Sequence, residues 1–136
     1  MKNILALIFF LFIALNVNAN LSKKINIESD LVEYEKVSNL ISFIDNVKIV
    51  SENINITAKK AIYDNKTEII SVVGSPSIIT SGKKNIFFKG EAEKIVVYSD
   101  EKIHLIGNAT MNYENINITS NKIVFNPQTG NLSSQQ

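Results

Sequence analysis

Apolar and polar residues alternate, one for one, through most of the chain beyond residue 24. The pattern runs through INIESD (25 to 30), LISFIDNVKIV (40 to 50), INITA (54 to 58), IFFKG (86 to 90), NATMNY (108 to 113) and INIT (116 to 119). Successive side chains of a strand point to opposite faces, so a period of two marks half-buried strands. No stretch holds a helical period over ten residues or more. Turn-forming clusters separate the runs at Asp64-Asn65-Lys66, Gly74-Ser75-Pro76, Ser81-Gly82-Lys83, Ser99-Asp100-Glu101 and Asn126 to Gly130. A run plus its turn takes about ten residues, which predicts roughly ten to twelve strands in one all-β domain.

The strands recur in units. The hexapeptide ENINIT occurs at residues 52–57 and again at 114–119. Composition alone does not account for it, although the chain is rich in Ile (22) and Asn (18). Units opening on I-x-I or I-F-F begin at Ile25, Ile54, Ile86 and Ile116, at spacings of 29, 32 and 30 residues. Each opening leads to an aromatic residue: Tyr34, Tyr63, Tyr98, Phe125. A second strand follows in three units as IDNVKI, VGSPSI and IGNATM, which aligns Asp45 with Gly74 and Gly107, and Ile49 with Ile78 and Met111. A unit of about 30 residues cannot bury its own apolar face, so neighbouring units must stack. The stack presents two walls with an apolar stripe between them, and its first and last strands carry unpaired backbone groups.

Residues 1–19 stand apart. Lys2, the unbroken apolar run Ile4 to Leu15, and the small-residue end at Ala19 form a cleavable export signal, shorter than the ~20 residues of a spanning helix. The expected mature domain is 20–136. It holds 13 Lys and 13 Asp plus Glu, which cancel, and no Cys. A neutral, evenly charged chain has no footprint for nucleic acid, and export without cysteine fits a bacterial periplasm.

Catalytic and metal chemistry find little support. His104, the single histidine, has no cysteine or acid cluster near it in sequence. The pairs Glu33/Glu35 and Glu91/Glu93 each share a strand face, where solvation explains them. No phosphate loop or paired nucleophile is present, and no enzyme activity, cofactor or metal is expected.

The ordered segments INIESD, IDNVKI, ENINITAKKAIYD, VVGSPSI, FKGEAEKIVVY, LIGNATM and ENINITSNKIVF resemble the OstA-like, LptA-type family of periplasmic lipopolysaccharide transport proteins, from about Ile25 to Phe125. That resemblance implies a V-shaped, twisted antiparallel β-jellyroll, a folded β-taco. It also implies a non-enzymatic role: holding lipopolysaccharide acyl chains in an apolar groove between LptC-like inner-membrane and LptD-like outer-membrane proteins. Edge-strand pairing would join the partners and would allow head-to-tail association of copies. Asp45 stands where the family has Gly, which requires Asp at a positive φ, and one residue is extra between Ala92 and Tyr98.

Parity along the strands proposes the groove residues. They are Ile25, Ile27, Phe43, Val47, Ile49, Ile54, Ile56, Ile78, Ile86, Phe88, Leu105, Met111, Ile116 and Ile118. A one-residue bulge reverses every assignment after it. Two alternatives stay open at this level: a membrane-anchored LptC-like component that keeps its N-terminal helix, and a secreted β-solenoid adhesin or structural module.

Overall fold

The computed structural model describes residues 24–83 and 87–136; the expected export signal lies outside them. Nine strands form one antiparallel sheet among the described residues: β1 (Asn26–Glu28), β2 (Leu31–Glu35), β3 (Leu40–Val50), β4 (Ile54–Asp64), β5 (Ile69–Ser81), β6 (Phe88–Val97), β7 (Ile103–Tyr113), β8 (Ile116–Phe125) and β9 (Leu132–Gln135). The count is below ten to twelve because β3 to β8 are each ten to thirteen residues long and run through a bulge that reads, in sequence, as a break. The order is a meander in which each long strand pairs with the next, while β1 and β2 both pair with β3. A β-solenoid, which stacks coils instead of meandering, is thereby replaced by an up-and-down sheet.

The bulges line up. Pairing shifts between Ile44 and Val47, Thr57 and Lys60, Val73 and Ser77, Glu91 and Lys94, and Ile106 and Ala109, so a crease crosses the sheet at mid-strand. Bulges bend and twist a strand, and a row of them turns one sheet into two facing walls. Small side chains line the inside of the crease: Val47 pairs with Ala58, Ser77 with Ala92, and Ala109 with Ser120. Asp45 and Asn46 adopt φ 62° and 51°, and Gly107 and Asn108 φ 84° and 44°, so the Asp at the position of the family's Gly does adopt the left-handed conformation. Asn46 Nδ2 donates to Asp30 Oδ2 at 2.7 Å, and Asn108 Nδ2 donates to Glu93 Oε1 at 2.7 Å. Two bulges, two units apart, are thus tied by the same Asn-carboxylate bond, one to the link between β1 and β2 and the other to β6.

Rows of paired residues run across each inner face. One wall carries Ile27, Ile49, Ile56, Ile79, Gly90, Met111 and Ile118, each opposite the next. The other carries Phe43, Ala61, Val72, Ile95, Leu105 and Ile123, and nearer the rim Ile41, Tyr63, Ile70, Val97, Ile103 and Phe125. Full burial of one such aliphatic side chain is worth about 1.5–3 kcal/mol, and the two walls bury each other. The walls approach closely at Gly90, where an added Cβ would lie 2.6 Å from Leu105 Cδ2 of the opposite wall and 3.0 Å from Ile79 Cγ2.

The 30-residue period is one pair of long strands. Tyr34, Tyr63 and Phe125 share the rim row, but the third unit departs from it: its extra residue places Val97 in the row and sends Tyr98 past the end of β6. There Tyr98 packs on His104, with ring centroids 4.6 Å apart.

Gly90→Val is expected to cost about 1–3 kcal/mol through overpacking. Urea denaturation measures it, and combining the change with Leu105→Ala should lose less than the sum of the two single variants.

Candidate functional site

The walls do not meet everywhere. A cavity of about 160 Å³ runs beneath the open side of the V, floored by Ile49, Ile54, Ile70, Val97 and Ile103 and reaching from Ile25 at the β1 end to Pro127 after β8. Its apolar floor follows from the inward parity of β3 to β7, whereas its mouth is formed by the hairpin tips. The tips supply Ser51, Glu52, Asn53, Glu68, Tyr98, Ser99 and Glu101. Across the mouth, Asn53 Nδ2 donates to Glu101 Oε1 at 3.4 Å, joining turns 48 residues apart in sequence. Tyr63 lines the cavity, and its phenol is pushed above the usual tyrosine value by burial first and then by the charges of Glu68 and Asp64.

The proposed groove residues divide into several groups. Ile25, Ile49 and Ile54 line the cavity. Val47, Ile56, Phe88, Leu105 and Met111 are buried in the core between the walls, and Ile27, Phe43 and Ile118 are half-buried against that core. Ile116 sits opposite Tyr113 at the last edge of the inner face, but is 59% exposed. Ile86 lies outside the described residues. Ile78 is a correction: it pairs with Thr57 and Glu91 on the outer face, and Ile79 points inward instead. The cause is the β5 bulge, which inserts Gly74, Ser75 and Pro76 opposite Glu93, whereas the β3 bulge inserts only Asp45 and Asn46 opposite Lys59. The additional residue reverses the parity that aligned Ile78 with Ile49 and Met111.

Ile70, Val97 and Ile103 escaped the parity argument. The first two lie in the runs EII and IVV, where consecutive apolar residues hide which face is inward, and all three sit at strand ends. Among the described residues, no three His, Asp or Glu side chains are grouped to hold a metal ion. Glu33 and Glu35 are exposed on β2; Glu91 faces Lys89 at 4.0 Å, and Glu93 belongs to the crease clamp. His104 is on an outer face between Val96 and Val124.

The inner row contains Ile27, Ile56 and Ile118 of the I-x-I segments, and Gly107-Asn108-Ala109 lies at the crease. The family described as "LptA/(LptD N-terminal domain) LPS transport protein" matches residues 26–131. This chain belongs to that family. Its members are transport proteins for lipopolysaccharide. In a structural comparison the fold is similar to that of LptH from Pseudomonas aeruginosa, described as the LptA homologous periplasmic component of the lipopolysaccharide transport device. The TM-score is 0.75 at 17% sequence identity, over 84% of this chain and 83% of LptH. No curated protein matches the chain in a sequence search.

His104 titrates with consequences for stability. Burial, then the charges of Lys122 and Lys102, hold its pKa below the ordinary value, with Asp100 opposing. The unfolded chain therefore takes up the proton first as pH falls. Stability contributed by neutral His104 is complete above about pH 6.5 and declines below it, until the folded state is protonated as well. Chemical denaturation at pH 7.5 and 5.5 should show the wild type losing more stability on acidification than His104→Gln.

Proposed function

We propose that the chain carries lipopolysaccharide across the periplasm, with lipid acyl chains held between the two walls, from an inner-membrane to an outer-membrane component of the same device. The observation that carries this is the unbroken apolar row from Ile27 to Ile118, which crosses the whole sheet and ends at an exposed strand edge on each side. Each acyl CH₂ held away from water is worth about 0.8 kcal/mol, so a chain in transit favours a continuous dry path. The closed cleft is too small for a whole lipid: a water's share of liquid volume is about 30 Å³, and the cavity is about 160 Å³. Loading therefore requires the walls to part, with the crease as the flexing line and the Leu105 contact on Gly90 as the seam that opens. The apolar segment before Ala19 directs export and is removed, leaving 20–136 in the periplasm.

The edges give the carrier its neighbours. Among the described residues, β9 pairs with β8 from Lys122 to Phe125 and its Gln135 carbonyl accepts from Ser120 Oγ, while Ile116 to Thr119 have no following strand and β1 is the edge at the other end. Most of the exposed large apolar residues, Ile25, Leu31, Val32 and Tyr34 among them, lie near the first end, and Ile116 lies at the other. Pairing β8 with β1 of a second copy would extend the inner row from Ile118 to the second copy's Ile27. The same backbone pairing would serve an LptC-like or LptD-like partner.

Two measurements test this. Ile27→Asp, at a half-buried edge position, should leave a folded protein that no longer co-purifies with a lipid A-type glycolipid; undiminished glycolipid in that variant would reject the groove. Ile116→Lys places a charge on the exposed last edge and should make the mass seen by light scattering independent of concentration, whereas the wild type grows.

A further inference from the structure

A polar bond joins the two walls across the mouth of the cleft. Asn53 stands in the tip between β3 and β4, on the wall of the Ile49 and Ile56 row, and Glu101 in the tip between β6 and β7, beside Val97 and Ile103 of the opposite wall. Asn53 Nδ2 donates to Glu101 Oε1 at 3.4 Å. Both residues are half-buried, and both line the cavity. The bond thus spans the open side of the V, where the walls must part if the cleft is to be filled.

Each end of the bond sits on a braced turn. The Asn53 carbonyl accepts from Gly82 N–H at 2.8 Å, which ties its tip to the next tip of the same wall, and Ser51 N–H donates to the Ile54 carbonyl at 2.9 Å. The two tips approach so closely that a Cβ on Gly82 would lie 2.8 Å from the Glu52 carbonyl oxygen. On the opposite wall, Tyr98 N–H donates to the Lys102 carbonyl at 3.0 Å and Glu101 N–H to the Tyr98 carbonyl at 2.9 Å, while the Tyr98 ring packs on His104. Neither tip yields without losing backbone bonds, so separation of the walls breaks the bond from Asn53 to Glu101 and leaves the turns intact.

We infer that Asn53 and Glu101 form a clasp that gates the entry of hydrocarbon, made in the closed cleft and broken while cargo lies between the parted walls. The inference rests on the carrier reading and adds the control of loading to it. Apolar contacts between the walls are non-directional and are regained on the cargo, whereas this bond needs a defined geometry and a polar partner that a hydrocarbon chain does not offer. Its loss is therefore a cost specific to opening. Removing the donor raises the population of the open form and the apparent affinity with it. Release starts from the parted state, where the bond is already broken, so its rate stays the same.

Entry of the neutral apolar dye N-phenyl-1-naphthylamine into the purified protein, followed by stopped-flow fluorescence, tests this in variants that melt cooperatively. Asn53→Ala should speed entry about fivefold, the net worth of one hydrogen bond, and leave the release rate unchanged, whereas general loosening would raise both. The chain has no cysteine, so Asn53→Cys combined with Glu101→Cys can be joined across the mouth by a short bis-maleimide. The joined protein should exclude the dye, and the same double variant capped with N-ethylmaleimide should admit it. Unchanged entry in Asn53→Ala, release that rises together with entry, or equal entry into the joined and capped proteins overturns the clasp and leaves the carrier reading standing. Failure of the dye to enter the wild type and every variant overturns both.

Discussion

Each wall of this protein is the other's cover. The inner faces carry isoleucine, valine, leucine and phenylalanine on nearly every strand, and no helix or second sheet among the described residues packs over them. A flat sheet would leave one whole face in water. Folding the sheet along its crease removes that face at once, which makes the aligned bulges a precondition for stability and not a local irregularity. The backbone at the crease needs residues that accept positive φ, and the chain places Asp45, Asn46, Gly107 and Asn108 there. Asp and Asn tolerate that region better than most residues because their short polar side chains can bond locally; here Asn46 and Asn108 bond instead to Asp30 and Glu93 of neighbouring segments.

A core made of two opposed walls differs from a closed one in what it can admit. Its seam runs along the open side of the V, where the floor is apolar and Asn53 donates to Glu101 between the hairpin tips of the mouth. Apolar contacts carry no directional requirement, so the walls can exchange contact with each other for contact with a hydrocarbon chain at little net cost. Among the described residues the same geometry leaves strand edges without a neighbour at both ends, and backbone groups on such an edge can pair with a compatible strand. The proposed cargo and the proposed neighbours thus draw on one feature, a sheet left unclosed.

Individual residues show where sequence reasoning held and where it gave out. Parity placed Val47, Ile49, Ile54 and Ile56 on the inner face, because β3 and β4 continue their alternation on either side of a short bulge. It failed at Ile78, because the β5 bulge is one residue longer and nothing in VGSPSI shows how many residues leave the ladder. It also passed over Ile70 and Val97, whose neighbours are equally apolar. The extra residue before Tyr98 is visible in the chain, but only the pairing of Val97 with Ile70 and Ile103 shows that the aromatic is ejected to stack on His104.

What the sequence determined by itself was the strand period, the recurrence of strand pairs at about 30 residues, and the Asp, Asn and Gly positions where the backbone departs from the ladder. These are local properties, set by side-chain alternation and by which residues accept a positive φ. Only the tertiary structure decided that the bulges form one line, that Gly90 and Leu105 meet across the cleft, and that Phe88, Tyr113 and Phe125 pack together. Those contacts join residues from separate strands of opposite walls, and their geometry depends on how many residues each bulge removes from pairing. That number is a property of two paired strands together, so no single stretch of chain contains it.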